Sequence, residues 1–161
     1  YDPIPGQAII GMAADDRYLY FITGLGGNGL PPQAGTPHFA VWSSEGQWVW
    51  RHAFQSAEAP VSIHAVSGRV WIALPGRVAI FDPQRRIFER YLPMSVTPHL
   101  WVTLSDGQVA WFAGRQFGLL NPANATLASC GELPHAIRAA VVTPTGHLFA
   151  AAGTELFRID I

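Results

Sequence analysis

The sequence predicts an all-β protein built from β-propeller blades, and three observations carry that reading. A 39-residue phase runs along the chain. Within each repeat the apolar runs are short and closed by turn residues, the pattern of strands rather than helices. The composition is 49% hydrophobic and 13% charged, yet no apolar run reaches the ~18 residues of a spanning helix. Strands buried on both faces of stacked sheets account for that balance.

The phase is fixed by two independent landmarks. The turn glycines Gly68, Gly107 and Gly146 are 39 residues apart. They precede Arg69-Val70-Trp71-Ile72, Gln108-Val109-Ala110-Trp111 and His147-Leu148-Phe149-Ala150. A second marker keeps the same spacing at Asp82, Asn121 and Asp160, each closing an apolar strand. An earlier copy is more degenerate. Ile9 to Ala14 leads into Tyr18-Leu19-Tyr20-Phe21-Ile22, and His38 to Trp42 and Trp48-Val49-Trp50 supply its later strands. An insert from Gly24 to Pro37 lengthens this copy.

Each copy reads as four antiparallel strands. Ser-Gly and Asp-Gly links favour tight hairpins because glycine accepts positive φ. Asp82-Pro83 and Asn121-Pro122 end strands, since proline removes a ladder donor. The expected copies are residues 6–56, 57–95, 96–134 and 135–161, forming a single propeller region. A repeat of ~40 residues with four short strands is the signature of a blade. An irregular β-sandwich is the alternative, but it does not predict a constant phase. Tyr1-Asp2-Pro3 echoes Phe81-Asp82-Pro83, and Ile161 falls one strand short of a fourth complete blade. The chain is therefore expected to be part of a larger ring, with a half-ring pairing with another copy and a closed four-bladed ring as alternatives.

The formal charge of −1 gives no electrostatic footprint for nucleic acid. All ten basic residues are Arg, a base-composition bias rather than chemistry. The single cysteine, Cys130, excludes an internal disulfide framework and a Cys-based zinc site. The expected partners are an unidentified small molecule or protein, with self-association through open blade edges as a further expectation. No membrane span and no cofactor are expected.

The third copy, Pro98-His99-Leu100-Trp101 through Asp106-Gly107-Gln108-Val109-Ala110-Trp111-Phe112, resembles the blades of streptogramin lyase-like propellers. The second copy, Ile80-Phe81-Asp82-Pro83 through Tyr91-Leu92-Pro93, is similar to the rhythm of that family, which NHL and gluconolactonase-type propellers share. The resemblance covers roughly residues 58–161 and is specific for a blade rather than an activity. It implies a larger ring whose members use a metal held by His and Glu from several blades. Only His99 falls on a family-like position here, so the lyase activity is not carried over.

Candidate binding residues follow from position. His64, His99 and Arg138 lie near the first strand of successive copies, where side chains face a central channel. Alignment on the turn glycine makes His99 and Arg138 equivalent, with Pro60 in the second copy. Satisfied hydrogen-bonding residues at blade edges are the alternative. Asn28 and His38 belong to or flank the glycine-rich insert, which is read as a rim loop closing over a ligand or as an idle hairpin extension. No helix N-terminus follows it to make a phosphate cradle. Trp101, with Trp42, offers a ring for stacking a carbohydrate or aromatic ligand, against core packing.

No catalytic residue and no metal site are assigned. The six histidines show no ligand spacing. Asp16, Asp82, Asp106 and Asp160 sit at turn positions where they cap backbone N–H groups. The expected function is a propeller module that binds a ligand or protein partner through its rim loops or central channel. The alternative is a metal-dependent propeller enzyme of lyase or lactonase type with part of its site outside this chain.

Overall fold

The computed structural model describes residues 4, 6–26 and 35–161. The fold is all-β, and the chain divides into two compact units, Tyr1–Thr97 and Pro98–Ile161. In the first unit β1 (Ala8–Ala14), β2 (Tyr18–Gly24), β3 (His38–Ser43) and β4 (Trp48–Ala53) form one sheet. The strands β5 (Ser62–Val66), β6 (Arg69–Leu74), β7 (Arg77–Asp82) and β8 (Ile87–Pro93) form the next. In the second unit β9 (Leu100–Thr103), β10 (Val109–Ala113), β11 (Gln116–Asn121) and β12 (Thr126–Glu132) make a third. The last holds three strands, β13 (Ile137–Val142), β14 (Leu148–Ala152) and β15 (Glu155–Ile159). Each sheet is an antiparallel meander in chain order, which is the build of a propeller blade. Every blade comes from one of the four sequence repeats.

Turn chemistry explains the meander and reveals one hidden irregularity. In the second blade Val66 pairs with Arg69, so Ser67 and Gly68 make a two-residue turn with φ of 51° and 70°. Both central residues positive is the hairpin turn whose twist matches the flanking strands. In the third blade Gly107 N–H bonds the Leu104 carbonyl and Leu104 N–H bonds that of Gln108. That loop is one residue longer, with Gly107 at φ 83°.

Packing follows from the two-residue alternation of strand side chains. In the first unit Tyr20, Ile22, Phe39 and Val41 of one blade meet Val70, Ile72, Leu74, Ala79 and Phe81 of the next. Phe39 and Phe81 stand edge to face at 4.9 Å, and burying each such ring is worth roughly 1.5–3 kcal/mol. In the second unit Ala110 and Phe112 meet Ile137, Leu148, Ala150, Ala152 and Ile159. The third blade is locked internally at Gly118, where any Cβ would overlap the Ala128 carbonyl and the buried Trp111 ring. Among the described residues no helix is long and apolar enough to cross a membrane.

Candidate functional site

The first strand is the sheet edge at which neighbouring blades approach: β1 runs beside β5 in one unit and β9 beside β13 in the other. Two of these strands, β1 and β13, begin with a bulge. In β1 Ile9 pairs with Thr23 and Gly11 with Ile22, leaving Ile10 extra. In β13 Ile137 pairs with Ala152 and Ala139 with Ala151, leaving Arg138 extra. In the third blade Leu100 pairs with Phe112 while the His99 N–H also reaches the Phe112 carbonyl at 2.9 Å. In the second, Ser62 pairs with Ala73 and the Val61 N–H bonds the same residue's carbonyl at 2.9 Å.

A bulge re-aims the side chain of the extra residue, here Ile10 and Arg138, and these two together with Val61 and His99 are exposed. The ladder register sets His99 and Arg138 at matching places, each just before the residue that pairs with Phe112 or Ala151. It corrects the second-blade position from Pro60 to Val61, because the Ser67-Gly68 turn is one residue shorter than the loop ending at Gly107. Ile10 and Val61 carry no chemical signature, so sequence alone could not single them out.

The second unit brings two of the predicted residues together. The His99 ring donates from Nε2 to the Ile137 carbonyl at 2.8 Å. That bond ties the start of β9 to the residue preceding Arg138. Ile137 N–H in turn donates to the Gly114 carbonyl at 2.8 Å. Arg138 forms no ion pair among the described residues, whereas Arg69, Arg77, Arg115 and Arg158 each face a carboxylate. Its exposed guanidinium is a planar fork suited to carboxylate or phosphate.

The remaining candidates occupy different places. His64 is half-buried on β5 opposite Trp71, and burial holds its imidazole below the usual pKa. Trp101 is 7% exposed and pairs across β9 and β10 with Trp111, so its ring is packed rather than presented. Trp42 lies against Trp48 at 5.4 Å and Phe21 at 5.7 Å. Asn28 lies outside the described residues.

His38 anchors a polar network that the sequence did not announce. The fully buried Thr23 hydroxyl donates to Gln7 Oε1 at 2.6 Å and accepts the His38 N–H at 2.8 Å. His38 Nδ1 meets the same Gln7 oxygen at 3.2 Å, and Gln7 Nε2 donates to the Thr36 carbonyl at 2.8 Å. These bonds join the two ends of the insert, at the end of β2 and the start of β3. Burial, reinforced by the Arg51 charge, pushes the His38 imidazole pKa down against an opposing backbone hydrogen bond at Thr36.

Three turn carboxylates cap backbone N–H groups, one of them a residue earlier than expected, and the fourth, Asp160, does not. In the first blade Asp15, not Asp16, accepts the Arg17 and Tyr18 N–H groups, each at 2.8 Å, and the Tyr20 hydroxyl at 2.6 Å. Asp82 accepts those of Gln84 and Arg85, and Asp106 that of Gln108. Asp160 pairs with Arg158 instead. No group of three or more potential metal ligands occurs among the described residues.

No family model matches the chain, and neither does any curated protein. Solved structures do. A protein of unknown function from Bacteroides caccae superposes with a TM-score of 0.63 at 14% identity, over 100% of this chain and 60% of that one. Kuenenia stuttgartiensis hydrazine synthase superposes with a TM-score of 0.73 at 13% identity, over 98% of this chain and 47% of that one. At these identities the likeness is one of fold. The chain spans about half the length of these structures.

Proposed function

We propose that this chain is a propeller module that binds a ligand or protein partner at the starts of the first strands of its blades. The carrying observation is that each blade exposes one side chain at this register position, Ile10, Val61, His99 or Arg138, with a bulge at Ile10 and at Arg138. Bulges of this kind re-aim side chains at functional rims. Arg138 supplies the charge that would read an anionic group, and His99 is positioned beside it through Ile137. The apolar Ile10 and Val61 give the first unit a different surface, suited to an aliphatic or aromatic group.

Elemental analysis of the purified protein, paired with a divalent-metal titration followed at His99, tests this reading. A metal-free protein whose His99 resonances ignore zinc and calcium is expected. Stoichiometric divalent metal held through His99 would replace it with the lyase- or lactonase-type reading, whose metal chemistry draws on several blades.

A further inference from the structure

We infer that the His99 and Arg138 site takes an oxyanion bearing its own hydroxyl donor, an α-hydroxycarboxylate or hydrogen phosphate. This rests on the binding reading above and gives it a selectivity over donor-free anions of equal charge. A backbone carbonyl only accepts hydrogen bonds, so the 2.8 Å contact between His99 Nε2 and the Ile137 oxygen places a proton on Nε2. In the neutral ring the other nitrogen, Nδ1, is then a bare acceptor. No described residue donates to it, and His99 is exposed.

Arg138 supplies the opposite half. The Ile137 carbonyl belongs to the peptide group that leads into Arg138, so covalent geometry keeps the Arg138 Cα within about 6 Å of His99 Nε2. The Arg138 guanidinium only donates, and it forms no ion pair among the described residues. An acceptor nitrogen beside a cationic donor fork calls for a ligand with the matching pair, anionic oxygens for the fork and an O–H for Nδ1. A ligand with oxygen acceptors alone satisfies Arg138 but turns a lone pair toward the lone pair of Nδ1. An α-hydroxycarboxylate carries both features on adjacent carbons, and hydrogen phosphate carries both on one phosphorus. An ammonium donor, as in an amino acid, also suits Nδ1. It sets a positive charge beside a guanidinium that no described carboxylate offsets, which favours the neutral hydroxyl.

Calorimetric titration of the 161-residue chain at about pH 8, above the ordinary titration range of imidazole, tests this. Two charge-matched pairs serve as probes, lactate against propionate and hydrogen phosphate against sulfate. The hydroxyl-bearing member of at least one pair is expected to bind about fivefold tighter, the net worth of one hydrogen bond. The pair that shows the preference tells carboxylate from phosphate. His99→Lys keeps a donor for the Ile137 carbonyl but has no acceptor, so that ratio is expected to fall to about one while the anions still bind. Nitrogen-resolved NMR of the histidine rings reads the proton position without any substitution and should find Nε2–H at His99. Ratios near one for both pairs, a ratio unchanged in His99→Lys, or a proton on Nδ1 instead would overturn the inference and leave the anion site standing. No saturable binding of any of the four anions would remove that site and the inference together.

Discussion

His99 donates from its ring Nε2 to the backbone carbonyl of Ile137 at 2.8 Å, linking the first strands of the third and fourth blades. A side chain in that position does structural work while its exposed surface remains available. His99→Ala is expected to lower unfolding free energy by about 1 kcal/mol, the usual net worth of one hydrogen bond. His99→Gln, which retains a donor, should recover part of it. Urea denaturation of the three proteins measures the difference.

Gly118 lies against the Trp111 ring and the Ala128 carbonyl oxygen, with no space for a Cβ. Gly118→Ala forces the new methyl into the Ala128 carbonyl and the indole ring. Overpacking typically costs 1–3 kcal/mol and sometimes more, and backbone on one side leaves little room to relax. Loss of the cooperative melt, or a fall of roughly 3 kcal/mol, is expected by calorimetry.

Asp82 is 3% exposed, accepts the N–H groups of Gln84 and Arg85 at 2.8 and 3.0 Å, and faces Arg69 at 3.5 Å. Burial alone would raise its pKa, but those partners outweigh it and hold the carboxyl below the ordinary carboxylate value. A group whose folded pKa lies below its unfolded one stabilises the fold above the unfolded value. That stability drains away as pH falls below about 4 and through the folded pKa. Asp82→Asn keeps an acceptor while removing the titration, so its stability should vary less with pH between about 5 and 2. Denaturation midpoints across that range report the slope.

Thr23 holds the base of the insert through Gln7 and His38. Thr23→Val preserves shape but strands the His38 N–H in a buried site. A cost of about 1–3 kcal/mol follows, and amide exchange at His38 should quicken relative to the core residue Phe81.

The sequence showed its blades clearly because hairpin glycines and paired apolar strands are local signals that recur with the repeat. Gly68, Gly107 and Gly146 marked the turns, and the strands of all four sheets fall within the four repeats. Position-by-position equivalence was less visible. The second blade closes its first hairpin with one residue fewer, so Pro60 took the place that belongs to Val61. For Trp101 the sequence set ligand stacking against core packing, and the choice between them depends on which face a neighbour covers, a tertiary property. The Gln7, Thr23 and His38 network joins residues 15 to 31 positions apart, with no motif to mark it. Neighbouring aspartates Asp15 and Asp16 could both cap a turn, and only hydrogen-bond geometry selects Asp15.

The most direct test is an amide-resolved NMR titration of the isotope-labelled chain with citrate and inorganic phosphate as anionic probes. The account predicts saturable shifts centred on His99 and Arg138 that disappear in Arg138→Ala while the melting temperature stays unchanged. Absence of saturable shifts there, or shifts that survive Arg138→Ala, would contradict it.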